Sequence, residues 1–291
     1  MDLAPRWSPL RWHLKLLAHL QQATLIDERS CVLQEGYVNS FLASVYDSAP
    51  FFGGRRHANL ELYTKPYLDR LCSTDNILEI GCGTGSLAIQ LARTGRNLEC
   101  IDISAQMLEV MHTKLSFEEH AVARRVRTVL GNALNYDSAI LFDSIIMTDG
   151  VLLALADQNR QRDLLSKSNS LLRLGGQVLI DFSKPRHDVI ARGSVTEITR
   201  FRTPSRKPYL LQVEMINEAR SQVQTWNATF AECSGEPNAS RVNVKVQFRY
   251  LYESEVKLLL EVCGFDLVEF DESYANGDGI FLVAKKVREF L

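Results

Sequence analysis

From Ile77 to Ser86 the chain reads ILEIGCGTGS, a short apolar strand that runs into three closely spaced glycines and then into a helix. Glycine has no Cβ atom, so such a turn lets the backbone approach a ligand closely. The helix behind the turn offers free N–H groups and positive potential. About twenty residues further on, Asp102 ends the next predicted strand, where its carboxylate can accept both hydroxyls of a ribose. Together these features predict a site for an adenosine-containing cofactor.

The turn differs from a dinucleotide-binding loop in two ways. Such loops read GxGxxG, because the third glycine admits a pyrophosphate against the helix, and here that position is Ser86. Glu79 precedes the glycines on the strand. A carboxylate there would repel a diphosphate but suits a ligand that carries an ammonium and a sulfonium. An NAD-type oxidoreductase is therefore disfavoured. A purely structural turn with a capping aspartate remains an alternative.

The stretch that surrounds this turn alternates between short apolar strands and amphipathic helices. This rhythm predicts an α/β fold with a doubly wound parallel sheet. Strands are predicted at 76–80, 98–103, 126–130, 142–147 and 177–182, and helices at 87–92, 105–115 and 164–172, the last capped by Gly175-Gly176.

The alternation of strands and helices ends after Lys184-Pro185. Residues 195–251 lack helical periodicity and are rich in Thr, Val and aromatic side chains, so they predict antiparallel strands with a turn at 233–240. A helix at 254–262 and a β-hairpin made of FDLVEF and IFLVAKK, joined at residues 275–279, follow.

The N-terminal part is predicted to be helical. Leu10, Leu14 and Leu17 recur at helical spacing, and so do the apolar residues of 38–45, while Pro66 should bend or divide a helix over 57–72. Four regions follow from the whole pattern. They are an N-terminal helical cap or lid at 1–56, the cofactor-binding core at 57–186, an antiparallel β substrate lid at 187–251, and a last helix with the C-terminal hairpin at 252–291.

Composition and charge limit the classes of partner that the protein is expected to bind. The chain has 291 residues and a formal net charge of −2, so no concentrated basic face attracts a nucleic acid. No apolar run approaches the length of about 18 residues that a bilayer span needs, and the start lacks a secretory signal. The six cysteines show no metal-ligand or redox spacing. We therefore expect a cytoplasmic protein without a metal, whose cysteines are core residues and whose partner is a small molecule; the sequence leaves a homodimer open.

Several ordered motifs resemble those of class I S-adenosylmethionine-dependent methyltransferases. They are ILEIGCGTG, LECIDIS followed by Met107-Leu108, LGNAL, FDSIIM, LLRLGGQVLI, and GFDLVEF with IFLVAKK. The resemblance spans about residues 70–185 and 250–286. It implies a Rossmann-like fold with a seven-stranded sheet whose last strand is antiparallel, and S-adenosylmethionine as the cofactor.

The resemblance also implies roles for individual residues. Glu79 and the loop Gly81–Gly85 would hold the methionine part of the cofactor, Asp102 would bind the ribose, and the adenine would lie against Ile103 and Met107. The remaining expected cofactor contacts are Cys82, Gly83 and Gly85 within the loop, the pair Asn132-Ala133 at the adenine amino group, and Thr148. Two positions depart from the family pattern. Asn132 replaces an acidic residue and accepts without charge, and Leu174 replaces the usual proline in a turn.

Ahead of the core, Tyr46-Asp47 followed by Arg55-Arg56 resembles the N-terminal segment of small-molecule N-methyltransferases of the glycine and amino-sugar type. In those enzymes an aromatic residue and an arginine close over the cofactor and clamp its carboxylate, a natural guanidinium partner. Which arginine serves here is undecided. The alternative interpretation is two surface arginines beside a loop.

Methyl transfer mainly requires alignment of the acceptor and exclusion of water. Two residues follow strands at the carboxyl edge of the sheet and are candidates for a catalytic role: Asp149 after the fourth strand and His187 after the fifth. The alternative for Asp149 is a solvated loop acid. We expect transfer to an amine nitrogen, with O- or C-methylation and a non-catalytic cofactor-binding protein as the alternatives. The aromatic residues of the insertion either form its core or close over a cationic substrate.

Overall fold

A computed structural model describes residues 36–233 and 240–290. The helix predicted around Leu10 and most of the turn predicted at 233–240 lie outside these residues.

The described residues form eleven strands and ten α-helices. The strands are β1 Asn76–Ile80, β2 Asn97–Asp102, β3 Val126–Leu130, β4 Phe142–Met147, β5 Leu172–Ser183, β6 Ser194–Arg202, β7 Pro208–Glu218, β8 Val223–Glu232, β9 Arg241–Arg249, β10 Phe265–Asp271 and β11 Gly279–Lys286. The helices are α1 Ser40–Val45, α2 Gly54–Ala58, α3 Leu60–Leu68, α4 Ser86–Arg93, α5 Ala105–Leu115, α6 His120–Ala123, α7 Val151–Ala154, α8 Gln158–Leu171, α9 His187–Arg192 and α10 Glu253–Val262.

Seven strands make the central sheet, in the order β10-β11-β5-β4-β1-β2-β3. β1 to β5 run parallel, whereas β11 is antiparallel to both β5 and β10. The predicted seven-stranded Rossmann-like sheet with an antiparallel last strand is confirmed. The strand order reverses between β1 and β4, and a ligand of such a sheet binds at the carboxyl ends of the strands beside that reversal.

Helices cover both faces of this sheet, which is why its central strands are apolar along their whole length. In β1, Leu78 packs into the core on one face with Ile145, and Ile77 packs into the core on the other face with Ile146. Burial of each such side chain contributes about 1.5–3 kcal/mol. The strand ends at the glycine turn are thereby held in fixed positions.

A second sheet, with the order β6-β7-β8-β9, is inserted between β5 and α10. Its strands are antiparallel, and one face is apolar and buried, as the alternating burial of β7 shows. The N-terminal segment packs on that face: the rings of Phe41 and Phe230 lie 5.2 Å apart, and those of Phe51 and Trp226 lie 6.1 Å apart. The apolar side chains of this segment therefore lie against the second sheet.

One local prediction was wrong, and a predicted division of a helix lies at another residue. Gly175-Gly176 do not cap α8, because the helix ends at Leu171 and β5 begins at Leu172, which pairs with Phe142 of β4. The two glycines lie inside β5, where its register with β4 shifts and Gly175 has a φ of +78°. The helical region at 57–72 divides at Asn59, and Pro66 is accommodated within α3.

The cysteine prediction holds for three of the described thiols. Cys82, Cys100 and Cys263 are buried, but Cys72 and Cys233 are exposed. Among the described residues, no helix combines the length and the apolar character that a bilayer span requires.

Candidate active site

One cavity opens above the carboxyl ends of β1, β2 and β4, at the reversal of strand order. Its floor is formed by the glycine turn, its sides by Asp102 and by the Asn132–Leu134 turn after β3, and its mouth by Thr148 and Tyr46. We call it the cofactor cavity. It lies where the sequence predicted the adenosine-containing ligand.

The three glycines of the turn have different structural roles, although all have positive φ angles, of +69°, +53° and +77°. A Cβ atom on Gly81 would lie 2.4 Å from a methyl carbon of Val151, and one on Gly85 would lie 2.5 Å from the Met111 side chain. At Gly83 nothing lies within 4 Å of that position. Gly83 is therefore the position at which the missing side chain leaves space for a ligand.

Asp102 faces the cofactor cavity at the end of β2. Its Oδ2 accepts a hydrogen bond from Gly83 N at 2.7 Å, and its Oδ1 accepts one from Ser104 N at 2.8 Å. These bonds fix the carboxylate and leave a lone pair on each oxygen for two hydroxyls. Ile103 and Met107 line the cavity next to it and supply an apolar wall.

Asn132 and Ala133 also line the cofactor cavity. The Asn132 Oδ1 accepts from Leu134 N at 3.0 Å and so caps its own turn. The amide NH₂ group and the second lone pair of the oxygen remain for a ligand. Thr148 is buried beside them at the end of β4.

Glu79 lies under the glycine turn and is 1% exposed. Its Oε2 has no hydrogen-bond partner among the described residues. Burial raises the pKa of Glu79 to about 8, and the Arg56 guanidinium opposes that rise. Without a further positive charge nearby, this carboxyl is mostly protonated at neutral pH.

The two neighbouring arginines lie in different environments. Arg55 is exposed and pairs with Asp278 at 2.6 Å. Arg56 is buried, pairs with Asp181 through Nη2, and lies over the Tyr63 ring at 4.9 Å. Its Nε is buried without a hydrogen-bond partner among the described residues. The structure brings Arg56 to the site and leaves Arg55 at the surface.

Asp149 follows β4 with a left-handed backbone, at a φ of +55°. Its Oδ2 accepts from the Tyr46 hydroxyl at 2.8 Å, its Oδ1 lies 3.9 Å from Arg56 Nε, and its backbone N–H donates to Asp181 Oδ1 at 2.8 Å. Desolvation raises the pKa of Asp149, and Arg56 again opposes the change. Asp149 is thus a fixed carboxylate at the mouth of the cofactor cavity.

A second cavity, which we call the aromatic cavity, adjoins the first. The two share Tyr37, Tyr46, Asp149 and Gly150 as lining residues. The remaining wall comes mainly from the N-terminal segment, residues 183–186 and the second sheet, and five of its side chains are aromatic. Its rings are Phe51, Phe52, Trp226, Phe248 and Tyr250.

His187 does not reach either cavity. It is the first residue of α9, is exposed, and lines none of the cavities found among the described residues. The preceding residue, Arg186, takes the position at the aromatic cavity and pairs with Asp188 and Glu197. At this strand end Arg186, and not His187, lines the cavity, and the catalytic role of His187 stays a prediction.

The sequence analysis missed Asp181, which joins several parts of the site from β5. It is 1% exposed and accepts from the Tyr67 hydroxyl at 2.8 Å, the Tyr274 hydroxyl at 3.2 Å and the Asp149 backbone. The available signal was an acid within the otherwise apolar VLIDF, because an unpaired charge there would be costly to bury.

The sequence analysis also missed the contacts of Asp47 with the glycine turn. Its Oδ1 accepts from the Thr84 hydroxyl at 2.7 Å and the Ser86 hydroxyl at 3.3 Å, and its Oδ2 pairs with Lys114 at 2.5 Å. Asp47 therefore fastens the N-terminal segment, including Tyr46, to the start of α4.

Most of the residues expected at the cofactor line its cavity. Five do not: Arg55, Arg56, Glu79, Cys82 and Gly85. Glu79 lies below the floor. Cys82 is buried in the core beside Cys100, which raises the pKa of its thiol.

Comparisons with known proteins relate this chain to methyltransferases. Residues 78–178 match a family model described as a methyltransferase domain. The cypemycin N-terminal methyltransferase of a Streptomyces species is 23% identical over 202 residues, which are 69% of this chain and 76% of that protein.

Two solved structures extend the likeness beyond the matched domain. The CcbJ methyltransferase of Streptomyces caelestis superimposes with a TM-score of 0.72 at 21% identity, over 87% of this chain and 99% of that one. The amino pentose methyltransferase CalS10 of Micromonospora echinaspora, solved with S-adenosylmethionine bound, does so with a TM-score of 0.58 at 13% identity, over 98% and 100%. At these identities the likeness concerns the fold.

Proposed function

We propose that this chain, a class I S-adenosylmethionine-dependent methyltransferase, transfers the methyl group to an amine nitrogen of a small molecule. The observation that carries the proposal is the position of Asp149, in the wall shared by the cofactor cavity and the aromatic cavity. A carboxylate at that junction attracts an ammonium group and can accept the proton that an amine loses.

The residues of the cofactor cavity fit S-adenosylmethionine. The space above Gly83 and the two free lone pairs of Asp102 suit the ribose, and Ile103 and Met107 suit the adenine. Two buried atoms outside the lining of this cavity have no hydrogen-bond partner among the described residues: Arg56 Nε and Glu79 Oε2. The Arg56 guanidinium suits the carboxylate of an amino acid tail, and the Glu79 carboxyl, once ionised, suits its ammonium. When bound, this cofactor supplies a methyl carbon already activated by a sulfonium.

The chain's own residues then position the acceptor and exclude water. The amine lone pair would accept the methyl carbon that the bound cofactor supplies, once Asp149 and the aromatic cavity hold that nitrogen in line with it. The nitrogen loses a proton to Asp149, whose pKa is raised by burial and which is therefore a better proton acceptor than a solvated aspartate. The Tyr46 hydroxyl donates a hydrogen bond to Asp149 Oδ2 and fixes the orientation of this carboxylate.

The names of similar proteins support nitrogen as the acceptor. The cypemycin enzyme is named as an N-terminal methyltransferase, and a glycopeptide N-methyltransferase solved with S-adenosylmethionine superimposes with a TM-score of 0.52 at 18% identity. The aromatic wall of the second cavity is consistent with a cationic acceptor, because ring faces attract ammonium groups.

The test is methyl transfer from isotopically labelled S-adenosylmethionine to a pool of small molecules, with mass spectrometry of the products. The same pool after acetylation of its amines is the matched control. We expect label on amine nitrogens, and loss of the label after acetylation. Label on oxygen or carbon, or cofactor binding without any transfer, would contradict the proposal.

A further inference from the structure

The aromatic cavity contains buried hydrogen-bond donors that no described residue satisfies. Gln224 is 4% exposed and lines this cavity, and its amide Nε2 has no hydrogen-bond partner among the described residues. The same holds for the indole Nε1 of Trp226, two residues along β8. Buried donors are almost always paired in native proteins, so two unpaired ones in one cavity point to a ligand that accepts from them.

Gln224 places a polar amide on the apolar face of β8. On the same face of β8 as Gln224 lie Trp226, Ala228 and Phe230. These three side chains pack in a hydrophobic cluster. Directly opposite on β7, Asn217 has an unpartnered Oδ1, so the two amides do not satisfy each other. An apolar residue at 224 would continue the stripe and avoid the cost of an unmet donor.

The charged side chains at this cavity give the sign of the missing ligand group. Arg186 is neutralised by Asp188 and by Glu197. Lys184, which follows β5 and lines the aromatic cavity, is partly buried and has no ion pair or side-chain hydrogen bond within the described residues. An unpaired ammonium that lines the same cavity as two unpaired N–H donors favours an anionic oxygen group.

We infer that the aromatic cavity binds an acceptor that carries an anionic oxygen group, such as a carboxylate, in addition to its amine. Lys184 pairs with this group, and Gln224 and Trp226 donate hydrogen bonds to the acceptor's oxygens. The amine lies beside Asp149, which lines the same cavity, so the cavity is complementary to a zwitterion. This inference rests on the proposed function and names the substrate class of the same site.

The first test separates acceptors by charge. A pool of small molecules is fractionated on an anion exchanger at a pH of about 11, where amines are largely neutral and a zwitterion carries a net negative charge. Each fraction is then incubated at neutral pH with the full chain and labelled S-adenosylmethionine. We expect labelled amines in the retained, anionic fraction. Labelled amines in the unretained fraction alone would overturn this inference and leave the proposed function intact. Label on no amine in any fraction would overturn both. Esterification of carboxylates, or phosphatase treatment, of the retained fraction distinguishes a carboxylate from a phosphate.

The second test uses a labelled acceptor from the retained fraction and its ester. Loss of a charge-assisted bond in Lys184→Met should raise the KM for the acid on the order of tenfold to a hundredfold, with the KM for the ester and the cofactor affinity unchanged. Lys245→Met is the matched control, because Lys245 is exposed on the second sheet and lines neither cavity. Equal effects of Lys184→Met on acid and ester would contradict the pairing.

Gln224→Leu distinguishes binding from structure. Removal of an unmet buried donor should leave the melting temperature unchanged or raise it, while the KM for the acid rises about tenfold. A lower melting temperature with an unchanged KM would show that the amide serves the fold and would contradict its role in binding.

Discussion

Cofactor binding should depend on pH through Glu79. Its carboxyl is buried under the glycine turn with an unpartnered Oε2, and burial raises its pKa to about 8. A cationic ligand needs the ionised form, whereas about nine-tenths of this carboxyl is protonated at pH 7. Ionisation at pH 7 therefore costs about 1.4 kcal/mol, which is a factor of about ten in affinity.

The expected affinity for S-adenosylhomocysteine, whose tail carries the ammonium group, rises about tenfold from pH 6 to pH 7 and levels off above pH 8. Calorimetry across this range, in buffers with different ionisation enthalpies, measures both the affinity and the protons released on binding. At pH 7 we expect release of close to one proton per ligand.

Glu79→Gln is the matched variant, since it keeps the shape of the side chain and removes the titration. Its affinity should be lower and independent of pH between 6 and 8. The ligand-free protein supplies a second check. Because the pKa is raised on folding, the wild type should lose unfolding free energy as the pH rises from about 4.5 to about 8, and the variant should lose less. A flat affinity profile without proton release would refute the assignment of Glu79 to the ammonium group.

Three further predictions concern the cofactor cavity and its mouth. Asp102→Ala should lose on the order of 1.5–3 kcal/mol of cofactor binding in calorimetry, and unchanged affinity would contradict the ribose assignment. Gly83→Ala should weaken cofactor binding with a destabilisation of only about 1 kcal/mol, whereas Gly85→Ala, which meets Met111, should mainly lower the melting temperature; the opposite ranking would refute the different roles of the two glycines. Asp47→Ala should weaken cofactor binding while the melting temperature of the ligand-free chain changes little, and full affinity would show that the Thr84 contact does not hold the N-terminal segment in place.

The elements near the cofactor were predictable because each had a local signal. The bounds of β1, β3 and β4 match their predicted ranges, since an apolar run ended at a glycine or polar residue. At Gly175-Gly176 the signal was ambiguous, because paired glycines end a helix or interrupt a strand equally well. Pairing of Leu172 with Phe142 settles it, and that contact is not visible in the sequence.

Site residues were predictable where they lie close together in the sequence. They were not predictable where folding brings distant segments into contact. The glycine turn and Asp102 lie close together in sequence and obey a known spacing. Asp181 acts through Tyr67, Tyr274 and the backbone of Asp149, which the chain brings together only on folding. Similarly, nothing in the sequence distinguishes Gln224 from other polar residues. Its burial becomes visible only in the folded second sheet.

The second sheet leaves the core after Ser183 and returns before Glu253, so it forms a self-contained insertion with its own strand pairing. The glycine turn and Asp102 belong to the first sheet, whereas Met107 and the N-terminal segment pack against the second sheet, which also forms one wall of the aromatic cavity. Selection can therefore reshape the side chains of β6 to β9 that line the aromatic cavity and alter the acceptor, while the glycine turn and Asp102 stay unchanged. A protein engineer could use the same junctions to graft the insertion from one such enzyme to another.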